Sequence, residues 1–187
     1  MAIIWRLFSW IVFLSVLVGV SSCAVVHRYS PYFGTVVDVD TEEPIAGASV
    51  LAVYYTQSYG LAGSSSHFLE AKETATDQNG EFKIESMTSF TFRPLQSFEP
   101  WAWVTIFKPG YAGYGCFPWH KDVEPKQHPF KPNNKITIKL PKLNTKEERC
   151  KYHSCYPPPV VSEKNYPNLF YTIQKERIYL GLEPESL

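Results

Sequence analysis

The chain has no surplus of either charge. Eighteen Lys and Arg balance eighteen Asp and Glu over 187 residues, and no run of one sign is long. A general binder of nucleic acid or of anionic membrane needs a concentrated basic patch, so composition argues against both. Internal repeats and low-complexity arrays are absent, which excludes solenoid and array architectures. No Gly-x-Ser-x-Gly elbow is present, and the serines near Gly63 have no recognisable triad around them. Cysteine is scarce: Cys23, Cys116, Cys150 and Cys155 are the only four. The length fits one domain with extensions.

Proline and aromatic residues, by contrast, are plentiful. Fifteen prolines exceed the usual ~5 per cent of residues. Proline cannot donate to a helix interior or a central strand, so this content implies a loop-rich β protein. Twelve Phe, twelve Tyr and five Trp can supply a dense core or adhesive surfaces.

The stretch Thr74 to Ile84 reads as the centre of the fold. Asn79-Gly80 is a strong two-residue hairpin signal, because both residues tolerate positive φ. The reading therefore folds two short strands back on each other here. After the turn, Phe82 and Ile84 point to one face and Glu81, Lys83 and Glu85 to the other. Further strands are expected over 32–39, 48–55, 101–108 and 136–140. Residues 48–55 are apolar enough to be buried on both sides. The segments 56–70 and 87–100 read as irregular excursions, and 111–132 as the longest connection.

Residues 1–22 read as a targeting segment: Arg6, then the apolar stretch Leu7–Val20, then Ser21 and Ser22. Val20-Ser21-Ser22-Cys23 resembles the lipobox of bacterial lipoproteins. The resemblance implies diacylglyceryl transfer to the Cys23 thiol, cleavage before Cys23, and acylation of the new amino terminus. A retained transmembrane anchor and ordinary secretion are the alternatives. Residues 23–31 read as a tether. Ala24 after the cysteine resembles the outer-membrane class, which implies a location in the bacterial cell envelope, at the outer membrane and facing the periplasm.

Three blocks carry a second resemblance. They are Gly34-x-Val36-x-Asp38, then Glu43-Pro44-Ile45-Ala46-Gly47-Ala48-x-Val50, then Thr76-Asp77-x-x-Gly80-Glu81-Phe82-x-Ile84. With Ile106-x-Lys108-x-Gly110-Tyr111 and Ile136-x-Ile138-x-Leu140, they resemble the carboxypeptidase regulatory-like domain over residues 32–142, with long insertions between 87 and 132. The resemblance implies an all-β, transthyretin/prealbumin-like, seven-stranded β-sandwich without catalytic residues of its own.

Residues 143–187 form a C-terminal extension outside this match. Pro157-Pro158-Pro159 favours an extended segment. Leu169, Phe170 and Ile173 share one face of a short helix over roughly 168–180.

With Cys23 set aside, three cysteines remain, so one thiol is left over. Proximity favours a Cys150–Cys155 disulfide; a bridge from Cys116 to either would staple the tail to the sandwich. Cys150, His153 and Cys155, with His120 or Cys116, form a mixed ligand set that matches no zinc spacing. His67-x-x-Glu70 has metallocarboxypeptidase spacing, but the chain is too short to hold that catalytic domain.

Trp101, Trp103, Tyr111, Tyr114, Phe117 and Trp119 form an aromatic block that lines the core or covers a sheet; the alternative is a ligand patch at Trp103, Tyr111, Tyr114 and Trp119. Tyr114, between Gly113 and Gly115, is the ring expected at the surface. The functional expectation is a non-enzymatic interaction or structural module without a cofactor. Its partners would be the membrane, through lipid on Cys23, and an envelope protein or a glycan. Carbohydrate binding through the aromatics is the second reading, and metal-dependent chemistry the third.

Overall fold

The computed structural model describes residues 23–60, 63–94, 96–118, 120–123 and 132–184, together with Arg6, Trp10 and Phe13. Apart from those three residues, the targeting segment 1–22 lies outside the described residues. The strands are β1 (Cys23–Tyr29), β2 (Tyr32–Asp38), β3 (Ser49–Gly60), β4 (Gly63–Ala75), β5 (Glu81–Ile84), β6 (Met87–Pro94), β7 (Gln96–Phe98), β8 (Trp103–Phe107) and β9 (Lys135–Leu140). Two helices follow, α1 (Lys146–Tyr152) and α2 (Pro167–Leu180). The fold is therefore mostly β, as expected, and both of these helices lie in the extension.

Two sheets enclose the main core. One has the order β5-β2-β9, with β9 parallel to β2. In the other, β3 is flanked by β4 on one edge and shared by β7 and β8 on the other. Val36, Phe82, Ile84, Ile138 and Leu140 from the first sheet pack with Val50, Ala52, Tyr54, Val104 and Ile106 from the second. Phe82 and Ile84 are buried, while Glu81 and Lys83 are exposed, as the period-2 pattern requires.

β3 is buried on both faces. Its even-numbered residues enter the main core, and Leu51, Val53 and Tyr55 pack with Leu169 and Ile173 of α2. The C-terminal extension thus forms a further layer over the outer face of the β3 sheet. Its helix α2 begins and ends within a residue of the expectation. The Glu73 carboxylate on β4 accepts from the backbone N–H groups of Asn168 (3.1 Å) and Leu169 (2.8 Å), in the first turn of α2. Arg149 of α1 grips buried Glu176 of α2 with two hydrogen bonds of 2.8 and 2.6 Å. Helix α1 was not anticipated, although Thr145-x-x-Glu148 is a capping box and both of its reciprocal bonds form.

Four local expectations are corrected. β4 and β5 do not pair with each other: β4 joins β3, and β5 joins β2. The turn between them carries the chain from one sheet to the other. Asp77 Oδ1 accepts from the N–H of Asn79 (2.9 Å) and of Glu81 (2.8 Å), so a side chain supplies the turn's acceptors. Of the Asn79-Gly80 pair only Gly80 is left-handed, at φ +70°, and a Cβ there would lie 2.5 Å from the Val36 carbonyl.

The expected tether at 23–31 is largely strand β1, paired antiparallel with β6. On its inner face the His27 ring stacks on Phe98 at 5.1 Å, and Tyr29 meets Tyr54 at 4.5 Å. The excursion over 56–70 is the far half of a long β3–β4 hairpin, paired out to Gly60 opposite Gly63. Phe68 and Leu69 at its base pack against the two cores, and backbone pairing sustains the polar tip beyond them. The irregular stretch 87–100 contains β6 and β7. On β6 the hydrophobic pattern runs outward: Met87 and Ser89 are buried while Phe90 and Phe92 are exposed.

Candidate functional site

The aromatic block does not form one surface. Trp103 stands at the start of β8, 47 % exposed, and its indole N–H donates to the Glu99 carboxylate at 3.2 Å. Tyr111 lies beyond the opposite end of β8, after the Pro109-Gly110 turn, and forms a backbone bridge to Lys142. Its hydroxyl bonds to Asp38. Burial alone would raise the Asp38 carboxyl, but the N–H groups of Asp40 and Thr41, this hydroxyl and Lys142 hold it below the ordinary range.

Tyr114 is buried, which overturns its expected exposure. It pairs back onto Ile106 within the main core, and burial pushes its phenol up to about 12. The flanking glycines serve the opposite purpose to the one read from the sequence. A Cβ on Gly115, at φ +70°, would lie 2.5 Å from the Val104 carbonyl; one on Gly113 would lie 2.8 Å from Cys155 Sγ. Small residues here let the backbone press inward. Trp119 lies outside the described residues. Of the three described patch residues, Trp103 alone presents a ring that is about half exposed, with Trp101 also exposed two positions before it.

The disulfide joins Cys116 to Cys155, and among the described side chains Cys150 is a free thiol. The expected Cys150–Cys155 bridge is therefore corrected. Cys150 sits on α1, whereas Cys116 and Cys155 are both buried in the second core with Leu169 and Ile173. Burial against the same layer, rather than nearness in sequence, selects the pair.

The mixed ligand set is dispersed as a result. Cys155 is consumed by the disulfide. His153 donates from Nδ1 to the Cys150 carbonyl (2.6 Å) and accepts at Nε2 from Arg177 (3.1 Å). His67 pairs with Ser58 at 2.9 Å, and Glu70 lies 3.7 Å from Lys72. Among the described residues, no group of three His, Cys, Asp or Glu is placed to hold a metal ion. An open cleft of about 380 Å³ lies beside the 77–80 turn, but its Lys135 and Glu81 are tied to each other at 2.6 Å.

Three buried phenols, on Tyr29, Tyr54 and Tyr55, have no hydrogen-bond partner among the described residues. Burial raises all three, and Glu99 adds to the effect on Tyr55, which reaches about 12. They remain neutral at physiological pH and do not serve as bases there.

The surface feature that sequence reading missed is the β1–β6 ribbon. Its outer face carries Val26, Phe90 and Phe92, which are 58, 77 and 68 % exposed. Val26 stands opposite Phe90, and Arg28 opposite Thr88, on that same face. Alternation of Phe90 and Phe92 with Thr91 was the available signal, but the stretch 87–100 reads from the sequence as irregular. Among the described residues no helix is long and apolar enough to cross a membrane.

Comparison with protein-family models, with curated proteins and with solved structures finds no match to this chain.

Proposed function

We propose that the chain is a lipid-anchored protein of a bacterial cell envelope, held by acyl chains on Cys23, with a β-domain that acts as a non-catalytic interaction or structural module. The observation that carries this reading is Val20-Ser21-Ser22-Cys23 placed directly after the apolar stretch Leu7–Val20. Two or three acyl chains, each methylene contributing about 0.8 kcal/mol, would make release from the membrane slow. Strand β1 starts at Cys23 itself, which would set the folded domain immediately against the membrane. Ala24 favours the outer membrane, with the domain facing the periplasm.

The two-sheet core is read here as the transthyretin-like sandwich of a carboxypeptidase regulatory-like domain. In support, β2, β5 and β9 lie on segments that carry the resemblance, while the blocks 43–50 and 106–111 lead into β3 and out of β8. The β1–β6 ribbon and the helical layer are additions to that pattern.

Anchoring is tested by Cys23→Ser, because a serine hydroxyl does not replace the thiol in lipid transfer. Metabolic labelling with a fatty acid should mark the wild type and leave the variant unlabelled and unprocessed. Equal label on both sinks the assignment. A pull-down from detergent-solubilised envelope should then recover a specific envelope protein if the module role is correct.

A further inference from the structure

We infer that the outer face of the β1–β6 ribbon lies on the bilayer surface, so that the domain is oriented on the membrane rather than swinging from its anchor. Three observations meet at this face. The first is its chemistry: Val26, Phe90 and Phe92 form an exposed apolar surface that the fold leaves uncovered. Most exposed apolar side chains need no explanation, but three on one face of one ribbon form a patch.

The second is position. The apolar segment Leu7–Val20 ends just before β1, and β1 begins at Cys23, opposite Pro94 of β6. A strand rises about 3.3 Å per residue, so Phe92 and Phe90 stand about 7 and 13 Å along the ribbon from that point. Whether the chain is held by lipid on Cys23 or by a retained leader, it meets the membrane at this end.

The third is charge. The chain as a whole is neutral, but residues 23–37 and 86–98 contain no Asp or Glu. Arg28 is exposed on the apolar face, beside Val26, where it can reach anionic headgroups. The inner face is already committed: Tyr29 and Met87 close one end of the main core. The ribbon therefore has one face for the domain and one for the membrane. The aromatic rings would sit at headgroup depth, where a flat apolar face with a basic neighbour is most favourable. This inference rests on the anchoring proposed above only for the nearness of a membrane.

The test uses the full-length chain expressed in bacterial cells, with p-benzoylphenylalanine in place of Phe90, Phe92 or, as a control, the exposed Ile178 on α2. These side chains are exposed, so the substitutions leave the core intact. After irradiation, mass spectrometry should find phospholipid adducts at positions 90 and 92 and none at 178. Adducts to a second copy of the chain or to another protein at 90 and 92 would overturn the inference. So would equal lipid labelling at all three sites, or no lipid adduct at any.

The mass of the peptide containing Cys23 is read from the same samples. Lipid adducts on a chain whose Cys23 is not acylated would leave the ribbon's role standing and remove the lipoprotein reading. Acylated Cys23 without adducts at 90 or 92 would do the reverse.

Discussion

Phe82 and Lys83 are adjacent, yet they occupy opposite chemical worlds. Phe82 is 4 % exposed and belongs to the main core, whereas Lys83 reaches into solvent and pairs with Glu85. Phe82→Ala removes buried ring surface and leaves a cavity, so it should cost about 3–5 kcal/mol. Lys83→Ala removes only an exposed ion pair and should change stability by less than about 0.5 kcal/mol. Urea denaturation of the two variants beside the wild type checks the contrast; similar losses would mean that β5 does not present alternate faces. Glycine is equally position-specific. Gly80 keeps the turn close to Val36, while Gly113 and Gly115 let the backbone around Tyr114 pack against β8 and the disulfide. A sequence shows that such glycines are small, but not whether the space beside them is solvent or protein. That is why Tyr114 was read as a surface ring.

At the scale of elements, the sequence was legible wherever burial follows the apolar side of an alternation. β5 and β9 obey that rule. β6 breaks it, because Ser89 goes inward and Phe90 and Phe92 outward, and nothing local signals the inversion. The polar half of the β3–β4 hairpin was also illegible, since its ladder rests on backbone pairing rather than on an apolar face. The first turn of α2 shows a third kind of hidden information. Its N-terminal N–H groups are not capped from the helix's own N-cap residue, Tyr166, but by Glu73, distant in sequence. A carboxylate there satisfies orphan donors and meets the positive end of the helix dipole. Glu73→Ala should therefore cost about 1–2 kcal/mol. Glu70→Ala, which removes a half-exposed residue of the same strand paired with Lys72, should cost less than about 0.5 kcal/mol. Thermal or urea midpoints decide it. Equal effects would show that the Glu73 contact does not hold the helix.

For the whole molecule, the main question is whether the extension is an appendage or a layer. The buried odd-numbered face of β3 makes it a layer: Leu51, Val53 and Tyr55 would lie open to water without α2. The Cys116–Cys155 bond fastens this layer to the segment that returns along β8, across a separation of 39 residues. Closing a loop of that size restricts the unfolded chain enough to contribute roughly 3–4 kcal/mol, more than a five-residue loop would. Reduction, or Cys116→Ser, should therefore lower stability by about that amount. It should also expose the extension to protease before the β core is cut. Cys150→Ser should do neither, because that thiol is unpaired and only partly buried on α1. Peptide mapping under non-reducing conditions should recover a pair joined through residues 116 and 155. A pair joined through 150 and 155 would leave the extension bonded only to itself. The β3 face and the Glu73 cap would then have to hold it unaided.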